Sequence, residues 1–362
     1  MDGKIMMLDL LNQAHKRQAS DLHLSVGTPP MMRINGSLVA IGESPISIEA
    51  SESMALSLLD EEQKGLFHSI GEIDFLYELP GVSRFRINVY RQRKYVSAAV
   101  RRIALSVPSL MELKLPSVVA SFADKNQGLI LVTGPTGSGK SSTVAALIDF
   151  INRNQSKHIV TLEDPIEYIH TNKNSMINQR EVGRDTQTFE SGLRSVLRQD
   201  PDVIFVGEMR DLETVSAAIT AAETGHLVLA TLHTSDAVQT IDRIIDAFPG
   251  HQQGQIRMQL SSVLVAVISQ RLLPTVDGSG RGCATEILVN TPAVGHLIRS
   301  EKNHQIKSVM QTSFHLGMRT LEMSIKEMIQ SGRIHHSVAK TYMVEGGSNN
   351  ASVYVPCEEQ FR

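Results

Sequence analysis

The chain has 362 residues, 41% of them hydrophobic, which suits two domains of ordinary size and is too apolar for a disordered polypeptide. Lys and Arg number 35 against 38 Asp and Glu, a net charge of −3, and aromatics make up 4% with no Trp, so neither a general pull toward nucleic acid nor a base-stacking platform is expected. The two cysteines, Cys283 and Cys357, stand far apart without a Cys-x-x-Cys spacing. No four-cysteine zinc site and no disulfide framework follows from them, and a reducing, cytoplasmic setting fits best.

The N-terminal stretch lacks the long apolar core of a signal peptide. Asp2 to Ala19 reads as an amphipathic helix. Asp21 to Ser25 alternates as a half-buried strand does. Met31 to Ile34, then Asn35-Gly36, then Ser37 to Ile41 predicts a hairpin, because Asn-Gly supplies the positive-φ pair of a type I′ turn. Residues 48–68 read as helical, and Asp74 to Leu79, Arg84 to Tyr90 and Val96 to Ile103 as three further strands. This pattern predicts a small α+β domain over residues 1–105. Ser106-Val107-Pro108 through Leu115-Pro116 carries two prolines and reads as a semi-rigid linker, residues 106–116.

From Ser117 onward short apolar runs alternate with helical stretches. Gly128 to Thr133, His158 to Leu162, Val203 to Val206 and Leu227 to Thr231 are the runs. Ser142 to Phe150, Thr188 to Arg198 and Leu212 to Thr224 are helical. The pattern predicts a mostly parallel sheet covered by helices over residues 117–345. After residue 236 the reading is mainly helical, with a strand near Thr285 to Val289. The longest apolar run, Leu260 to Ile268, is far short of the ~20 residues that cross a membrane, so no direct membrane insertion is expected. Gly346 to Arg362 has no periodicity and is expected to be a disordered tail.

Between the first of these strands and its helix stands Gly134-Pro135-Thr136-Gly137-Ser138-Gly139-Lys140-Ser141, the phosphate-cradling G-x-x-x-x-G-K-[ST] pattern in its required strand–turn–helix context. The glycines let backbone N–H groups close on a phosphate, and the helix N-terminus adds partial positive charge. Lys140 is placed to reach the β- and γ-phosphates of ATP, and the Ser141 hydroxyl to hold Mg²⁺, with Gly134, Thr136, Gly137, Ser138, Gly139 and Ser142 completing the nucleotide-binding set.

Three further stretches offer partners. Asp202 to Glu208 is an apolar strand with a carboxylate at its C-terminal end, where ligands gather in open α/β sheets; Glu208 suits Mg²⁺, directly or through water. Glu163, at the end of another strand, could deprotonate a water that attacks the γ-phosphate, while the Asp164-Pro165 that follows reads equally as a simple turn. His226 and His233 bracket a strand. His233 lies at the same edge as the other candidates and either contacts phosphate or is an ordinary satisfied polar residue; His226 lies at the far end. Arg84, Arg86 and Asn88 share one face of a strand, where parallel cations repel unless an anion is near.

Taken together, GPTGSGKSST, VTLEDPIEY, RQDPDVIFVGEMRD and TGHLVLATLHT resemble, in order, the Walker A, Asp box, Walker B and His box of type IV pilus retraction ATPases, the PilT-like branch of the secretion ATPases. SDLHL and RFRIN resemble the small N-terminal domain of that family. The resemblance spans about residue 5 to 344. It implies an α/β fold, a RecA-like P-loop ATPase domain with a smaller N-terminal PAS-like α+β domain, assembled as a homohexamer at the inner face of the cytoplasmic membrane on a pilus platform protein. It also implies that Glu163 is the catalytic base, that Glu208 assists at Mg²⁺, that His226 and His233 read nucleotide state, and that Arg84, Arg86 and Arg93 reach nucleotide phosphates. The implied activity is ATP hydrolysis driving pilus retraction. The alternatives are an accessory retraction paralogue and an assembly ATPase; the latter type adds a longer N-terminal region and a four-cysteine zinc site, both missing here. Against the family's A-I-R-N-L-I-R-E signature, Ala293-Val294-Gly295-His296-Leu297-Ile298-Arg299-Ser300 departs at Gly295, His296 and Ser300.

Overall fold

The structure is a computed structural model and describes residues 2–338 apart from 35, 104, 105 and 279. Asn35 of the expected hairpin turn and the tail from residue 346 lie outside the described residues. In chain order the elements are α1 (Gly3–Lys16), β1 (Asp21–Leu24), β2 (Met31–Ile34), β3 (Ser37–Ala40), α2 (Ile48–Leu56), α3 (Glu61–Ile70), β4 (Glu72–Leu79), β5 (Ser83–Gln92), β6 (Tyr95–Ile103), α4 (Val118–Phe122), β7 (Gly128–Thr133), α5 (Lys140–Asn154), β8 (His158–Glu163) and β9 (Met176–Glu181). They continue with α6 (Phe189–Val196), β10 (Val203–Val206), α7 (Leu212–Glu223), β11 (Leu227–Leu232), α8 (Ala237–Asp246), α9 (Gly250–Val263), β12 (Leu264–Pro274), β13 (Arg281–Val289), α10 (Pro292–Arg299), α11 (Ile306–Thr312) and α12 (Leu321–Gln330). Two compact units result, one of residues up to Ser109 together with Ala145–Pro201, the other of Leu110–Val144 together with the residues from Asp202 on.

In the first unit an antiparallel sheet runs in the order β3-β2-β1-β6-β5-β4. Its alternating strands turn Phe85, Ile87 and Val89 of β5 inward, where they are fully buried with Met7 and Leu11 of α1 and Phe67 of α3. This is the α+β arrangement expected. The single helix expected over residues 48–68 is two. Asp60 breaks it by capping α3: its carboxylate accepts the Gln63 N–H, and the Gln63 side chain accepts the Asp60 N–H, a reciprocal box that starts a new helix. In the same unit β8 pairs in parallel with β9, Thr161 opposite Gln179 and Glu163 opposite Glu181. β9, Met-Ile-Asn-Gln-Arg-Glu, was not foreseen; four of its six residues are polar, so it lacks the apolar signal of a strand.

In the second unit strands hydrogen bond side by side in the order β13-β12-β7-β11-β10. β10, β11, β7 and β12 run parallel, and β13 returns antiparallel to β12. β7, β10 and β11 are buried along their whole length, as strands covered on both faces must be. α8 to α12 and β13 bear out the reading after residue 236, mainly helical with a strand near Thr285 to Val289, to which the structure adds β12. Leu264 to Ile268 is buried on both faces, so its apolar residues do not alternate and their period cannot distinguish strand from helix; pairing with β7 and β13 decides it.

Phe67 and Phe314 make a paired test of this packing. Phe67→Ala removes a fully buried ring and should cost about 3–5 kcal/mol. Phe314, 64% exposed, should tolerate the same change within about 0.5 kcal/mol. Urea unfolding followed by circular dichroism checks both.

Candidate active site

β7 delivers the chain into the glycine-rich turn, and three of its glycines take left-handed backbone: Gly134 at φ 142°, Gly137 at 78° and Gly139 at 90°. At Gly134 the constraint is spatial as well. A Cβ there would lie 2.5 Å from the Gln270 carbonyl oxygen of β12 and 2.6 Å from the Ser138 Oγ. The tip, Pro135 to Gly137, is exposed, whereas Ser138 is buried and its hydroxyl finds no hydrogen-bond partner among the described residues. An open tip, left-handed glycines and an orphaned buried hydroxyl at a helix N-terminus fit a bound phosphate.

Lys140, first residue of α5, donates from Nζ to the Gly134 carbonyl at 2.7 Å and the Pro135 carbonyl at 3.2 Å. Its Nζ also stands 3.4 Å from Nδ1 of His233, just past the end of β11. The other ring nitrogen, Nε2, is 2.9 Å from Oε1 of Glu208, past the end of β10. A lysine ammonium can only donate, so Nδ1 accepts and Nε2 carries the proton given to Glu208. Arg210 holds the second oxygen of Glu208 at 2.7 Å. Burial by itself would raise the Glu208 pKa, but the Arg210 hydrogen bond and the charges of Arg210 and Lys140 outweigh it and hold the carboxylate below its ordinary value. Three parallel neighbours, β7, β11 and β10, thus bring Lys140, His233 and Glu208 into one line. His226 is not part of it. It lies just before β11, with Nδ1 3.0 Å from the Ala221 carbonyl oxygen of α7, roughly 23 Å from His233 by the rise of seven residues.

Glu163 ends β8 in the first unit and is 8% exposed. Thr161 Oγ1 donates to its Oε1 at 2.6 Å and Gln179 Nε2 to the same oxygen at 3.0 Å. Burial dominates and pushes its pKa up to about 7, with the Thr161 and Gln179 hydrogen bonds pulling the other way. A carboxyl poised near neutrality suits proton transfer at physiological pH. Thr161 and Gln179 were not singled out from sequence; the period of two that places Thr161 beside Glu163 was available, whereas Gln179 needed the unforeseen strand.

The arginines divide. Arg86 is 3.3 Å from Asp74 across the β4–β5 pair, and Asn88 donates to the same carboxylate at 3.1 Å, so Arg86 already has an anion within its own sheet. Arg84 does not: its Nε and Nη1 are buried without a hydrogen-bond partner among the described residues. It lines a cavity of about 460 Å³ with Glu78, Ile166, Gln179, Glu181 and Arg184. Arg93 is exposed in the left-handed β5–β6 turn, nine residues or roughly 30 Å of strand from Arg84, so the two do not meet.

The family model described as "Type II/IV secretion system protein" matches residues 103–342. A type IV pilus retraction ATPase of Pseudomonas aeruginosa, PilT, is 46% identical over 92% of this chain and 96% of its own. The chain belongs to the type IV pilus retraction ATPases. A crystal structure of the pilus retraction motor PilT with bound ADP is 45% identical, covers 92% of this chain and 96% of its own, and superposes with a TM-score of 0.85. The type IV pilus ATPase PilU of Pseudomonas aeruginosa is 41% identical over 91% of this chain and 86% of its own. As a member of this family the chain is a nucleotide-binding ATP hydrolase. No helix among the described residues is long and apolar enough to cross a membrane.

The stretch that departs from the family signature at Gly295, His296 and Ser300 is helical. It forms α10, capped by Thr291. A Cβ at Gly295 would lie 3.3 Å from Nη1 of Arg299, 3.4 Å from the Ser261 carbonyl oxygen of α9 and 3.6 Å from Oδ1 of Asn290. Arg299 in turn donates to Ser261 Oγ at 3.1 Å. The nearest of these is the movable end of a side chain and the others are ordinary contacts, so a Cβ is accommodated at position 295 and the departure there has no steric explanation.

Gly134→Ala should weaken ADP binding by at least about tenfold, since the added methyl cannot coexist with the Gln270 carbonyl without moving the loop. Fluorescence titration with a labelled ADP measures it.

Proposed function

We propose that this retraction ATPase works as a homohexameric motor that couples ATP hydrolysis to pilus disassembly, docked through a platform protein at the inner face of the cytoplasmic membrane. The observation that carries the mechanism is the line Lys140–His233–Glu208, which joins the loop expected to hold the γ-phosphate to the carboxylate expected at Mg²⁺. The backbone of Gly134 to Gly139 with Thr136, Ser138 and Ser142 cradles the phosphates, and Lys140 leaves its loop carbonyls to pair with the β- and γ-oxygens. Ser141 and Glu208 would hold Mg²⁺, which when bound neutralises charge on the phosphates. When Lys140 turns to phosphate, His233 loses its donor and can relay that loss to Glu208; this is how His233 would read nucleotide state.

Glu163 takes the proton of the attacking water. Arg84, whose Nε and Nη1 lack a hydrogen-bond partner among the described residues, is the arginine best fitted to close over phosphate; Arg86 would have to share itself with Asp74. Arg93 and His226, remote from Arg84 and His233 along their strands, would read nucleotide only in another subunit of a ring. The division into residues 1–105, 106–116 and 117–345 supplies the mechanical element, with the two-proline linker as hinge. Work is obtained only if ATP binds the closed arrangement more tightly than the open one. Departures at Gly295, His296 and Ser300 favour, as second reading, an accessory retraction motor that acts beside another ATPase.

Glu163→Gln should bind ATP as the parent does and release phosphate at least about 100-fold more slowly, as expected for loss of a general base; turnover at the parent rate would remove Glu163 from the mechanism. In the parent, kcat should fall as pH drops below about 7, because the raised pKa leaves Glu163 protonated and unable to accept a proton. A phosphate-release pH profile reads this. Deletion of the gene should leave cells with excess surface filaments and no surface movement, counted by electron microscopy and a motility assay. Loss of the filaments would instead mark an extension motor.

A further inference from the structure

Glu163 does not stand alone at the end of β8. The parallel register sets Gln179 of β9 directly beside Thr161, and Thr161 shares a face with Glu163 two residues on. Both side chains donate to one oxygen of the carboxylate, Oε1, and neither to Oε2. The Gln179 amide has no freedom to turn over. Its Oε1 accepts the backbone N–H of His170 at 2.8 Å, and a flipped amide would set a donor against that donor. Its Nε2 therefore faces Glu163, with the Tyr168 carbonyl at 2.8 Å taking its second proton. The loop between β8 and β9, held at Tyr168 and His170, thus orients the amide that in turn orients the carboxylate.

We infer that Thr161 and Gln179 are positioning residues for hydrolysis: they pin Oε1 of Glu163 so that Oε2 is the oxygen presented to the attacking water. This rests on the reading of Glu163 as the base. The same two donors, together with the Glu167 backbone N–H, favour its ionised form against burial. The charged groups around it in this unit are Glu167, whose charge opposes ionisation, Glu181 on the neighbouring strand with its ion-pair partner Arg184, and Arg84 across the cavity they line. Neither Thr161 nor Gln179 carries a charge, so removing them alters aim and hydrogen bonding without altering net charge.

Gln179→Met and Thr161→Val in the full chain test the idea, with Thr161→Ser as the conservative rescue. Both variants should lose kcat by on the order of tenfold at pH 7, a fraction of what a general base supplies, while KM stays within about twofold. The acid limb of the kcat profile should move about one unit toward higher pH, because loss of a donor to the charged form raises a carboxyl pKa, and part of the rate should return at pH 9. Thr161→Ser, which keeps the hydroxyl, should behave as the parent. A role confined to stapling the loop would move neither the pH limb nor the ratio of kcat to KM in this pattern. Glu163→Gln, measured alongside, separates the two claims. If it is inactive while Gln179→Met and Thr161→Val keep the parent's kcat and pH limb, the positioning role is overturned and the base stands. If Glu163→Gln itself turns over at the parent rate, both fall.

Discussion

Parallel pairing of β7 with β11 and of β11 with β10 is the constraint on which the site depends. Parallel strands in register end together, so the residues that follow their C-terminal ends converge even when a hundred positions apart in sequence. Lys140 follows β7, Glu208 follows β10, and His233 follows β11. Their hydrogen-bonded line exists because three backbones stop at one edge, and the turn out of β7 is held to its path by the absence of a Cβ at Gly134 against the β12 carbonyl of Gln270.

Two strand-end carboxylates illustrate how burial and neighbours divide labour. Glu208 is half-buried, but with Arg210, His233 and Lys140 around it stays ionised and below the usual carboxylate range. Glu163 is deeply buried, is hydrogen bonded by the neutral side chains of Thr161 and Gln179, and rises to about 7. The first environment suits a permanent charge beside a cation; the second suits a group that gains and loses a proton. The same residue type, at the same kind of position, becomes two different instruments.

Charge in the small domain follows a similar logic. Parallel arginines on β5 look equivalent in sequence, yet Asp74 on the neighbouring strand pairs with Arg86, whereas Nε and Nη1 of Arg84 are buried without a hydrogen-bond partner among the described residues. A guanidinium keeps its charge at any physiological pH, so the two unpaired nitrogens of Arg84 beside a cavity can still take an anion.

The sequence by itself determined the phosphate loop, the strand-end carboxylates and the small α+β domain, because each is encoded within a few adjacent residues: glycine spacing, apolar runs, alternation. It was silent where the information lies in pairing. β9 is too polar to announce itself, and β12 is buried on both faces and so loses the alternation that would mark it as a strand. The partition of Arg84 from Arg86 and the Gln179 amide on Glu163 were decided only by tertiary structure. The reason is physical: a hydrogen bond or ion pair between strands depends on which backbones lie side by side, and that order is set by the packing of the whole sheet rather than by any segment of the chain.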